Sequence, residues 1–89
     1  MKTIYKYHIP VKDYVELKDL PFTLQWLRAK EDSGNLYVWA LVNKDSAKYD
    51  YHIRVIGTGN PITEDTGNWR FIDTVKMRNG LVWHIFEVI

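Results

Sequence analysis

Ile53-Arg54-Val55-Ile56-Gly57-Thr58-Gly59-Asn60-Pro61-Ile62 is an apolar strand that runs without a break into a Gly-Thr-Gly loop, which a proline then closes. Glycines on either side of Thr58 free the backbone to take positive φ and bring N–H groups close to something external. Two readings follow. In one, successive N–H groups form a concave nest for phosphate or carboxylate, Thr58 adds a hydroxyl, and Arg54 brings a forked cation from the strand. In the other, Gly-Thr-Gly-Asn-Pro is the tight turn by which a strand is left, and the residues alone favour this one. Neither the GxGxxG dinucleotide fingerprint nor the lysine and spacing of a phosphate-binding P-loop is present.

Working outward, Tyr49, Tyr51, Ile53 and Val55 put one face of this strand inward, while Asp50, His52 and Arg54 face the other way. Before it, 36–42 is the most apolar run of the chain and reads as a central strand buried on both faces. It forms a hairpin with 24–30 across a loop holding Gly34 and Asn35. Residues 3–9, stopped by Pro10, read as a first strand, and the alternating run 13–18 as its partner. Beyond the loop, 61–68 is polar and irregular, the place for a lid. The chain closes with 69–78 and 81–88 around Asn79-Gly80, the strongest short hairpin signal present. No helix is predicted. About seven short strands in a single domain, residues 1–89, predict an all-β fold, a small antiparallel sandwich or barrel.

Composition narrows the function. Eighty-nine residues leave little interior, yet the chain carries four Trp and six Tyr. Several of those rings should therefore line a groove or a subunit interface. Twelve Lys and Arg stand against eleven Asp and Glu, which argues against a protein that tracks a nucleic-acid polymer by its phosphates. The absence of cysteine excludes a disulfide framework and a thiolate metal site. The first residues do not read as a signal peptide, and no run is apolar and long enough to span a membrane. The expected location is the cytoplasm.

Three histidines, His8, His52 and His84, lie on separate strands without zinc-ligand spacing, and no cofactor is called for. The acids Asp50, Asp73 and Glu87 hold alternating strand positions, where charge is normally the solvated face, so no catalytic residue is assigned. His84 reads first as a partly buried, hydrogen-bonded residue and second as a ligand donor. Trp39 reads first as core and second as a platform for a base. Tyr5, Lys6 and Tyr7 suit a base with its phosphate or an edge strand protected by lysine.

The order 1–7, then 36–42 with its Trp-Ala-Leu-Val, then 54–62, then Gly80-Leu81-Val82-Trp83-His84-Ile85-Phe86-Glu87 resembles a family of small phage proteins. The family looks like the one containing the phage anti-CBASS sponges, which bind the cyclic oligonucleotide signals of bacterial defence and keep host effectors from being activated. The chain departs from the pattern between Lys12 and Glu31, where Phe22 and Trp26 replace smaller residues, and in the polar stretch after Pro61. The resemblance implies a non-enzymatic protein in the host cytoplasm that takes a cyclic dinucleotide or related cyclic oligonucleotide. Its ligand contacts are expected at Tyr5, Lys6, Trp39, Arg54, Gly57, Thr58, Gly59, Asn60, Trp69 and His84. A domain this small cannot enclose two bases and two phosphates, so a homodimer or larger homo-oligomer sharing the ligand is expected. The alternative is a protein-binding inhibitor or minor virion component acting through an aromatic surface patch.

Overall fold

A computed structural model describes residues 1–89 as five strands without a helix. They are β1 (Lys2–Ile9), β2 (Tyr14–Asp32), β3 (Asn35–Gly57), β4 (Trp69–Lys76) and β5 (Val82–Val88). All pairings are antiparallel and belong to one open sheet. β3 is its spine. Residues 36–43 of β3 lie between β1 and residues 22–32 of β2. Residues 52–57 of the same strand pair with β5, which in turn pairs with β4.

The seven expected strands are five because 13–18 and 24–30 run together as β2, and the two middle segments as β3. Residues 44–47 of β3 have no partners in β2 between the pairs Phe22↔Asn43 and Pro21↔Lys48. Side chains satisfy the amides that the ladder loses there. The Phe22 N–H donates to Ser46 Oγ at 2.7 Å, and the Asp19 N–H donates to Asp50 Oδ1 at 3.0 Å, with Asp19 at φ 57. Such a bulge keeps a strand continuous but bends it. The start of β2 is a second correction: Tyr14 to Leu17 pair with Arg54 to Tyr51 of β3, not with β1.

The bend also changes which residues face inward. Leu36, Val38, Ala40 and Val42 are buried before it, Ile53 and Val55 after it. Val38 and Leu36 join Ile53, Val55, Val75 and Ile85 in one cluster, so the inner faces of the two halves share a core. Burying each such aliphatic side chain contributes roughly 1.5–3 kcal/mol, enough to hold the bent sheet over itself. Residues 37, 39 and 41 stay half-buried, so 36–42 is covered on one face, not both.

No ladder joins the free edges of β2 and β4. Carboxylates bridge them instead: Asp73 Oδ2 accepts the Ala29 N–H at 2.8 Å, and Glu31 Oε1 accepts the Arg78 N–H at 2.8 Å. The turns follow the sequence. Ser33 (φ 52) and Gly34 (φ 86) both take the left-handed conformation that a two-residue hairpin demands, and Gly80 (φ 89) closes the last one.

Candidate functional site

The Gly-Thr-Gly segment is a tight turn at the end of β3. The Asn60 N–H donates to the Gly57 carbonyl at 3.0 Å, and Gly59 takes φ 86. A Cβ on Gly57 would sit 2.8 Å from Asn60 Nδ2 and 3.1 Å from the Trp83 ring, so a side chain there would displace the Asn60 amide and crowd the indole. Thr58 Oγ1 lies 2.7 Å from His84 Nε2, and His84 Nδ1 lies 3.0 Å from Thr74 Oγ1. Both ring nitrogens of His84 are therefore occupied by hydroxyls, in agreement with its structural reading. A hollow of about 360 Å³ opens beside this turn, lined by Gly57, Thr58, Asn60, Leu81 and Trp83 among others.

Arg54 is committed elsewhere. Its guanidinium pairs with Glu64 of the irregular segment, its Nε donates to the Asp13 carbonyl at 2.8 Å, and it lies 5.1 Å from the centre of the Trp69 ring. A neutralised and largely covered guanidinium pins the segment 58–68 to the sheet. It is not presented to an anion. Trp69 in turn packs against Phe86 at 5.4 Å between ring centres.

Lys6 and Trp39 stand on the outer face of the other half-sheet. In the ladder Trp39 is opposite Lys6 of β1 on one side and Arg28 of β2 on the other. Tyr37 lies opposite Lys30. The Lys6 ammonium is 4.1 Å from the centre of the Tyr37 ring and 5.5 Å from that of Trp39, with the Asp32 carboxylate 3.9 Å away. Ile4, Leu27, Arg28, Lys30 and Trp39 line an open hollow of about 450 Å³. Trp39 is thus a half-buried ring flanked by two cations with a third close by. Tyr5 points to the inner side, edge-on to Tyr7 at 6.3 Å.

The residues expected to form one site are therefore divided. Lys6 and Trp39 share one outer face, Arg54, Thr58, Trp69 and His84 the other, and Tyr5 neither. Arg28, Lys30, Leu27, Ile4 and Tyr37 were missed, although the signal existed: counting back from a two-residue turn at Ser33-Gly34 puts Arg28 opposite Trp39. The exposed carboxylates do not gather into a metal-binding group.

Residues 1–89 match, over their whole length, the sequence family described as Domain of unknown function (DUF7352). The chain belongs to the DUF7352 family. No curated protein and no solved structure matches it. In this DUF7352 chain the hollow at Trp39 is the place where an aromatic ring and several cations converge.

Proposed function

We propose that this chain binds a cyclic oligonucleotide, such as a cyclic dinucleotide of bacterial defence, and sequesters it without cleavage in the cytoplasm of a phage-infected host. The observation that carries the reading is Trp39 set between Lys6 and Arg28, with Lys30 beside them. A base laid on the open face of a half-buried indole gains roughly 1–3 kcal/mol by stacking. The neighbouring cations then reach its phosphates through charge-assisted hydrogen bonds. A volume of about 450 Å³ falls within the range of roughly 300–1,000 Å³ that small-ligand sites occupy. Net charge of +1 suits a compact ligand held by local cations better than a polymer, which needs a basic stripe. The resemblance of four sequence blocks to a family of small phage proteins points to the same class of ligand.

A second reading has its own observation. Phe71 is 61% exposed and packs edge-on against Phe86 at 5.7 Å, on the outer face opposite Trp39. Together with Trp69 these rings form an aromatic patch suited to a protein partner.

A gel shift with a labelled cyclic dinucleotide, followed by release of the ligand on heating, separates these readings. Intact ligand on release, and loss of the shift in Trp39→Ala, supports sequestration. Degraded ligand points to an enzyme, and an absent shift favours the protein partner.

A further inference from the structure

We infer that the free edge of β1 is a self-complementary surface that pairs with β1 of a second copy across a two-fold axis at Tyr5. β1 is a sheet edge, bonded to β3 alone. The Lys44 N–H donates to the Met1 carbonyl, so Met1 and the odd-numbered residues after it turn their backbone groups toward β3. The N–H and C=O groups of Lys2, Ile4, Lys6 and His8 therefore point outward from the sheet. They form an eight-residue strand with an open row of donors and acceptors, a template for another strand.

Charge selects the register. In an antiparallel pair about a two-fold axis, an axis at Ile4 puts Lys2 of one copy opposite Lys6 of the other. An axis at Lys6 puts the two Lys6 ammoniums together, and like charges directly opposite are destabilising. With the axis at Tyr5, Ile4 of each copy faces Lys6 of the other, Lys2 faces His8, and Thr3 faces Tyr7. Every outward-pointing backbone group of β1 then has a partner. Tyr5, 39% exposed at the strand centre, meets its own copy in a non-hydrogen-bonded pair.

The two hollows end up beside the axis. Ile4 lines the hollow in its own chain, so this register brings Lys6 of the second copy to the rim of each. The two β3 strands lie three strand spacings apart, about 14 Å. A ligand with two-fold symmetry would meet equivalent Trp39, Arg28 and Lys6 groups from both copies. This shared site rests on the nucleotide reading above, whereas the strand pairing does not.

The natural chain has no cysteine, so Tyr5→Cys supplies one thiol per copy. Cα atoms of a non-hydrogen-bonded pair are about 4.5 Å apart, within disulfide reach. Copper-phenanthroline oxidation should cross-link this variant at least tenfold faster than Lys2→Cys or His8→Cys, and sedimentation of the natural chain at micromolar concentration should give a dimer. His8→Pro deletes an outward donor without touching the β3 ladder and should raise the dimer dissociation constant at least tenfold, with circular dichroism unchanged. A monomeric natural chain would leave the edge to a strand of some other protein and overturn the inference, as would cross-linking without preference for position 5. Titration with a cyclic dinucleotide separates the two layers. A dimer that binds no nucleotide keeps the interface and sinks the nucleotide reading. Unchanged affinity in monomeric His8→Pro, at one ligand per chain, sinks the shared site and keeps the nucleotide reading.

Discussion

The Trp26 indole N–H donates to Glu87 Oε1 at 2.8 Å, joining residues 61 positions apart from opposite ends of the bent sheet. Glu87 is the one acid counted among the buried residues, and its carboxylate sits on the inner face beside Ile53, its partner in the ladder. A buried charge is tolerated only with a donor. Trp26→Phe keeps most of the ring, including an edge-on contact with Tyr51, but leaves that carboxylate without its donor. The expected loss is about 1.5–3 kcal/mol in urea unfolding, reduced when Glu87→Gln is added. A double-mutant cycle without coupling between the two positions would remove this bond from the account of stability.

How the sheet would bend was only partly legible. Alternation and apolar runs located seven extended segments, because both are legible at the level of a few residues. What they could not show is that Asp19-Leu20-Pro21 and Lys44-Asp45-Ser46-Ala47 stay extended, since polar runs of that kind equally suit loops. Buried positions are even-numbered from Leu36 to Val42 and odd-numbered at Ile53 and Val55, a change of phase that one strand makes only through a bulge, but Tyr37, Trp39 and Leu41 are apolar too and hide it in the sequence. The site suffered for the same reason. Arg54 looked free for an anion because one partner, Glu64, comes from a segment without periodicity and the other, the Asp13 carbonyl, is a backbone group that side-chain patterns do not reveal. Trp39 looked like core because the neighbours Arg28 and Lys6 become visible only through register.

The bridge between the β2 and β4 edges predicts a local opening. Asp73 accepts two N–H groups, from Ala29 and from Thr74, both at 2.8 Å. Asp73→Ala strands the Ala29 donor in a residue that is 4% exposed. Stability should fall by about 1–3 kcal/mol. In hydrogen exchange the Ala29 amide should lose protection first, ahead of the core of β3. Uniform loss of protection along β2 and β3 would show that the edge bridge does not open separately.

Tyr7 carries the opposite signature. Its hydroxyl is buried with no hydrogen-bond partner in the protein. Burial, followed by the neighbouring Tyr5 and Tyr51 phenols, pushes its ionisation above the ordinary tyrosine value. Because the folded value is the higher one, the neutral phenol's contribution is complete below the unfolded-state value near pH 10 and is lost as pH rises through the folded one. Tyr7→Phe should change stability at neutral pH by less than about 1 kcal/mol, since no bond is broken. The variant should also lose stability less steeply than the natural chain above pH 10. A steeper alkaline loss in Tyr7→Phe would contradict this assignment.

The contrast between the two arginines gives the sharpest test of the hollow. Arg28 lies opposite Trp39 and lines the hollow, whereas Arg54 is held by Glu64 and Asp13 on the other face. Arg28→Ala and Lys6→Ala should each weaken cyclic dinucleotide binding by about 1.5–3 kcal/mol, the worth of a hydrogen bond to a charged group, or roughly ten- to a hundredfold in affinity. Arg54→Ala should leave affinity within about twofold, an energy difference below about 0.5 kcal/mol, while speeding hydrogen exchange in 58–68. Quenching of Trp39 on binding should disappear in Trp39→Phe and persist in Trp69→Phe. Isothermal titration of the three cation variants decides between the faces: affinity lost with Arg54 and kept with Arg28 would move the ligand to the Gly-Thr-Gly side of the sheet.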